Sequence, residues 1–262
     1  MKKITIMFSM LLICNSINLF SQDEQLDEFS FDSEPLQTES IPYFAIAGGA
    51  TVNFSFFNYD EINKHLTTNF PVSDISPNFE GSMLQIGGEG FTGLVYIQDM
   101  RVAFFSYAGK KDNGTTVAFN GVDYKRQFDY STGLWGLSLD YAFVPFKRFA
   151  ILPGVSFAKG YLSINSYQSK SNFDWNNFKP EVGDQNVWRN ELEASYWVVK
   201  PQVNLEYAIT NFLMFRVGIG YSSTFAYDWK FNKSATVDNM PDGINSNGLQ
   251  IQSGIFLGLF NY

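Results

Sequence analysis

Residues 133–143, GLWGLSLDYAF, alternate between two unlike sets of side chains. Trp135, Leu137, Leu139, Tyr141 and Phe143 fall on one side, and Gly136, Ser138, Asp140 and Ala142 fall on the other. This is the period-two pattern of a strand whose faces meet different surroundings. The same division recurs upstream, where Phe44, Ile46, Val52, Phe54 and Phe56 oppose Ala45, Ala47, Gly49, Thr51, Asn53 and Ser55. Downstream, Trp197, Val199, Val203, Leu205 and Tyr207 oppose Lys200, Gln202, Asn204 and Glu206. In residues 215–229 the bulky face reads Phe215, Val217, Ile219, Tyr221, Phe225, Tyr227 and Trp229, against Arg216, Gly218, Gly220, Ser222, Thr224 and Asp228.

Alternation alone also fits a soluble sandwich, with an apolar inside and a polar outside. Three features favour the opposite facing. The polar sides are rich in glycine, alanine and serine rather than the lysine and glutamate that coat a solvated sheet, so they suit a confined interior. Several alternating runs exceed the roughly 5–6 residues usual in soluble strands and reach the roughly 9–11 that a tilted membrane strand needs. Short connections at 98–99, 145–148 and 210–212 alternate with long links at 58–78, 169–193 and 231–246.

That rhythm predicts strands over 43–57, 80–97, 100–119, 124–144, 149–168, 194–209, 213–230 and 247–262, the third and fourth meeting at the hairpin-favouring pair Asn120 and Gly121. The fold class expected is all-β: an eight-stranded antiparallel up-and-down transmembrane β-barrel with both ends on one side. In the third and last strands both faces are apolar, so their facing is not assigned. Pro153 and Pro201 fall inside expected strands, where proline removes a ladder hydrogen bond, and each calls for a bulge or a boundary.

The sequence stops on aromatic residues, Phe260 and Tyr262. From about Tyr43 to that end it resembles the small eight-stranded outer-membrane barrels of Gram-negative bacteria, of the OmpA, OmpX and OmpW size class. Those proteins usually carry a glycine five residues before the final aromatic; here Leu257 stands there, with Gly258 beside it. The resemblance implies residence in the outer membrane, contact with its lipid, and insertion by the barrel-assembly machinery.

The N-terminus fits an export signal over 1–21. Lys2 and Lys3 precede the apolar run 4–14, and Ser21 precedes the expected cut. A lipoprotein reading on Cys14 is disfavoured because Ile13 occupies the place of the small residue that such processing wants. Cleavage removes the one cysteine, and with it disulfide, thiolate-metal and cysteine-nucleophile chemistry. Residues 22–41 are acidic and aperiodic and read as a disordered leader before the barrel over 42–262. A net charge of −8 argues against nucleic acid as a partner.

Glu89, Asp140, Lys200, Glu206 and Arg216 fall on interior faces and are expected to form a polar network. Ion-paired filling is favoured over a conducting path, because eight strands enclose room only for packed side chains or one small ligand. Phe173, Trp175, Phe178 and Trp188 in the third long link form a candidate contact surface for an extracellular protein or glycan. The sole histidine, His65, sits on a short helical stretch at 59–66 after two acidic residues that suit a helix start, and reads as exposed rather than catalytic. The glycines of QIGGEGFTG lack the lysine of a phosphate loop, and Asp238, Asp242 and Asn245 read as turn formers rather than calcium ligands. No catalytic, cofactor or metal set is expected.

The function expected is that of a non-enzymatic surface protein with a largely filled lumen, acting through its loops. The alternatives are transport of a small apolar molecule and, further off, a lipid-modifying enzyme.

Overall fold

The computed structural model describes residues 43–69, 78–172 and 184–261; the expected signal and leader lie outside them. The wall is built from β1 (Phe44–Phe57), β2 (Met83–Gly93), β3 (Met100–Phe119), β4 (Val122–Tyr141), β6 (Phe149–Lys170), β7 (Trp188–Ala208), β8 (Leu213–Phe231) and β10 (Gly248–Asn261). Two short pieces, β5 (Phe143–Phe146) and β9 (Ala235–Thr236), pair beside β6 and β8, and one helix, α1 (Asp60–Asn69), follows β1. Neighbouring wall strands run antiparallel, and β10 pairs with both β8 and β1, so the sheet closes on itself as an eight-stranded ring. Closure leaves no open edge around the lower wall.

Asn120 and Gly121 have φ values of 50° and 76°, as a two-residue hairpin turn requires, and this turn sets the β3–β4 register from Phe119↔Val122 down to Arg101↔Asp140. Trp135, Leu139, Val203 and Ile219 point outward and are 55%, 41%, 39% and 50% exposed. On β7 the apolar outer face covers 197–207, the length a tilted membrane strand needs. Above it the outer wall turns polar: Asp123 and Lys125 on β4, Glu191 and Glu193 on β7, and Asp228 and Lys230 on β8. At that border the Lys159 ammonium lies 4.9 Å over the Trp197 ring, which itself stacks on Phe157 at 4.9 Å. An aromatic side chain with a cation reaching past it is the arrangement favoured where acyl chains give way to water.

The two unassigned strands resolve cleanly. On β3, Arg101, Ala103, Phe105 and Tyr107 face in and Phe104 faces out; on β10, Gln250, Gln252 and Phe256 face in while Ile255, Leu257 and Leu259 face out.

Some details depart from the expectation. Alternation puts Tyr227 and Trp229 on the outer face with Phe225, but a bulge opposite Tyr196 shifts the β7–β8 register between Ser195 and Trp197. Ala226 within it takes φ 56°, and the extra residue turns Trp229 into the barrel, where it is 8% exposed. The same bulge sends Asp228 outward rather than into the lumen. β2 is shorter than 80–97 and ends at Gly93, because residues 94–99 form a turn. β7 starts at Trp188 rather than 194, since the β6–β7 ladder runs on to Gln168↔Trp188. Neither proline shifts the register. The pairing of β6 with β4 stops at Gly154 and resumes with β5 at Ile151, while β7–β8 pairing skips from Val199 to Gln202. Both rings face outward, each at a local interruption of the ladder.

Candidate functional site

The lumen holds two layers of different chemistry. The lower one lies near the short turns, where β3 and β8 begin and β4 and β7 end. Glu206 on β7 is its hub. Its Oε1 accepts from Arg101 Nη1 at 2.6 Å and Arg216 Nε at 2.8 Å and lies 2.7 Å from Arg216 Nη2 in an ion pair, and its Oε2 accepts from the Tyr43 hydroxyl at 3.1 Å. Arg101 also reaches Asp140 at 2.9 Å, and Arg216 reaches Glu89 at 2.5 Å. Gln202 Nε2 donates to Asp140 Oδ1 at 3.2 Å. Arg101, Asp140, Glu206 and Arg216 are each at most 1% exposed. Charges removed from water this completely persist only when paired and hydrogen-bonded.

Aromatic faces complete this layer. The Arg101 guanidinium sits 4.2 Å from the centre of Phe91, and that of Arg216 sits 4.2 Å from Phe256, with the two rings 5.3 Å apart. Small residues make room: a Cβ at Gly154 would run into the Asp140 carboxylate, and one at Gly218 into the Asn204 side chain.

Lys200 lies apart from the carboxylates, higher in the lumen. Its ammonium donates to the Tyr107 hydroxyl at 3.3 Å and lies 5.3 Å over Phe105, while Tyr107 donates to Gln250 at 2.8 Å. Around it are amides and hydroxyls, among them the Ser55 to Gln85 bond at 2.6 Å.

The upper layer is aromatic. Tyr59 meets Tyr130 edge to face at 5.2 Å and Phe79 at 5.8 Å, and Tyr196, Tyr227 and Trp229 stack in series at 4.9 and 5.5 Å. The Tyr196 hydroxyl is tied to Thr132 at 2.6 Å, and Gly160 leaves the space its ring occupies. Above this floor α1 crosses the mouth. Asn58 accepts from the Asp60 N–H at 2.8 Å at the helix start, and Asp60 and Glu61 complement the first turn. Ile62 and Leu66 face down into the core. Asn63 fixes the return of the chain, accepting from Phe79 N at 2.8 Å and donating to Phe79 O at 3.0 Å.

The structure therefore brings Glu89, Asp140, Glu206 and Arg216 together, with Lys200 near but not among them. Sequence reasoning missed Arg101, which ties two of those carboxylates, and Tyr43. It also missed the inward aromatic set. Of the expected loop surface, Phe173, Trp175 and Phe178 lie outside the described residues; Trp188 is half-buried at the start of β7. His65 is on the exposed side of α1. Asn245 donates to Asp242 O at 2.8 Å, a turn contact.

A closed antiparallel ring with an apolar outer belt, a border of rings and lysine, and an interior that is ionic at one end and aromatic at the other defines a transmembrane β-barrel of the outer-membrane type. No protein-family model matches the sequence, and no curated protein matches it. Similar solved structures include a major outer membrane protein from Thermus thermophilus (9% identity, 82% of this chain and 99% of that one, TM-score 0.44). They also include Ail, the attachment invasion locus protein of Yersinia pestis (6% identity, 84% and 99%, TM-score 0.37). A third is CarO2 of Acinetobacter baumannii (10% identity, 82% and 99%, TM-score 0.35).

Proposed function

We propose that this protein resides in the outer membrane as a sealed, non-catalytic barrel that acts through its outward loops as a binding or structural surface. The observation that carries the reading is the double closure of the lumen: Arg101, Glu206 and Arg216 meet across its lower part, and Tyr59, Tyr130 and Tyr196 fill its upper part. Eight strands leave space for side chains or one small ligand, and here side chains occupy both levels. With the axis shut, the described parts that face outside are α1, the β3–β4 hairpin and the 232–247 link. Planar-bilayer recording on the purified protein tests this. Little or no conductance is expected, and a large, stable, ion-selective conductance rejects it.

A second reading, passage of a small apolar molecule sideways through the wall, draws on one observation. The β7–β8 ladder skips Lys200 and Pro201 and is bulged at Ala226. A disulfide joining V199C to S223C, which are paired across this seam, locks it. Uptake of an apolar solute that depends on the protein and survives the lock removes this reading.

A further inference from the structure

Above the aromatic floor the barrel mouth contains a hollow of about 530 Å³. Its walls come from three directions. Ile62 and Leu66 descend from α1, Ile164 and Leu192 face inward from β6 and β7, and Met240 and Ile244 fold back from the 232–247 link. The polar lining groups include Asp238, Asn190 and His65.

Both flanking walls are pinned by hydrogen bonds, so the hollow is built into the fold. On one side Asn63 clamps Phe79 behind α1. On the other, Asn247 Oδ1 accepts from both the N–H and the hydroxyl of Thr224 at 2.6 Å, the Ser246 N–H donates to Tyr227 at 2.9 Å, and the Tyr130 hydroxyl donates to Asn245 O at 3.3 Å. The floor is the core cluster containing Tyr196 and Trp229, against which Ile164, Leu192, Met240 and Ile244 pack. The hollow is therefore a dead end toward the lumen.

The wall at this height has already turned polar outside, at Glu191, Glu193 and Asp228, so the hollow opens among watery surroundings rather than acyl chains. Its size falls within the roughly 300–1,000 Å³ of ligand pockets, and it is several times the roughly 150 Å³ cavity that takes up benzene. A long aliphatic wall with a few polar groups fits an alkyl chain with a small head. A carboxylate at Asp238 and a net charge of −8 disfavour an anionic one.

We infer that this hollow is a binding site for the alkyl chain of an uncharged single-chain amphiphile arriving from outside, with its head held near Asp238 and Asn190. The inference rests on the reading of a sealed barrel that binds through its outward side, and gives that side a ligand class.

The test uses the full mature chain in lipid nanodiscs, with tritiated 1-dodecanol as probe and empty nanodiscs as the measure of partition into lipid. Saturable binding of one probe per protein is expected. I244D, which places a charge in the hollow, and L192W, which fills it, each weaken binding by about tenfold or more. Unchanged heat-modifiable migration on gels establishes that both variants are folded. Dodecanoate binds more weakly than dodecanol. No saturable binding above empty nanodiscs, or binding that both variants leave intact, overturns the site; dodecanoate binding as tightly as dodecanol overturns the head-group assignment. Conductance of the same sample reports separately on the sealed lumen, so failure of the site and failure of the sealed-barrel reading are distinguished.

Discussion

At the end of the barrel that carries the short turns, the lumen is closed by a few full charges, each on a different strand; at the other end it is closed by many neutral rings. The ionic layer depends on one carboxylate, Glu206, which serves both Arg101 and Arg216. The aromatic layer is redundant, with Tyr59 touching Phe57, Phe79 and Tyr130 and with Tyr227 touching Tyr196 and Trp229. The difference is one of failure. Removing one member of a buried ion set leaves its partners charged in a medium that does not solvate them, whereas removing one ring from a packed set leaves a space that neighbours partly refill.

The comparison breaks first at its hub. E206Q leaves two buried guanidinium groups sharing only Asp140 and Glu89, and is expected to cost about 3–5 kcal/mol, read as a lower urea midpoint for unfolding from lipid vesicles. A loss under about 1 kcal/mol would mean that water reaches this layer and that burial overstates its dryness. In the aromatic layer Y196A is expected to cost about 3 kcal/mol on the same assay, while Y196F, which keeps the ring and loses the hydroxyl's bonds to Ser246 and Thr132, costs about 1 kcal/mol. N63A sharpens the upper side further. It leaves the Phe79 backbone pair without its clamp and costs about 1–2 kcal/mol, seen as faster amide exchange in α1 and residues 78–80.

The smallest effect lies outside the membrane-spanning part. Asp184 is held below the ordinary carboxylate range, chiefly by the backbone N–H of Asn186 at 3.0 Å, with help from the Tyr124 hydroxyl at 3.1 Å and Lys170 at 3.3 Å. A depressed carboxylate contributes stability above its unfolded value and loses it as pH falls through the folded one. Acidification below the usual carboxylate range therefore loosens the root of the 171–187 link, measured as protease sensitivity there, and D184N removes the pH dependence. Equal acid sensitivity in D184N rejects that origin.

Much of the wall is legible in the sequence because lipid outside and a crowded inside impose opposite demands on alternate residues. Trp135, Leu139, Val203 and Ile219 announce their facing wherever the opposite set is small or charged. Legibility fails where the two sets look alike. β3 carries Phe104 and Phe105 in succession, one outside and one inside, so hydropathy gives no facing for it and leaves Arg101 unassigned. A signal is present all the same: counting back from the Asn120 and Gly121 turn brings Arg101 opposite Asp140. Tyr227 and Trp229 are misplaced by alternation for a different reason. A bulge inverts every later side chain on its strand, and Ala226 carries no mark of a positive φ. The inward rings at Tyr107, Tyr130 and Tyr196 escape notice because a greasy exterior leads one to expect a wholly polar interior.

The partition of the ionic layer among hairpins bears on how the chain enters lipid. Arg101 and Asp140 are directly paired across the β3–β4 hairpin, and Glu206 and Arg216 across the β7–β8 hairpin, so each hairpin holds one cation and one anion side by side. The bond from Arg101 to Glu206 joins the two hairpins across the lumen and forms only when the ring comes together. These two pairs are thus matched within their own hairpins before assembly, and the cross-link between the hairpins records that the circle has closed.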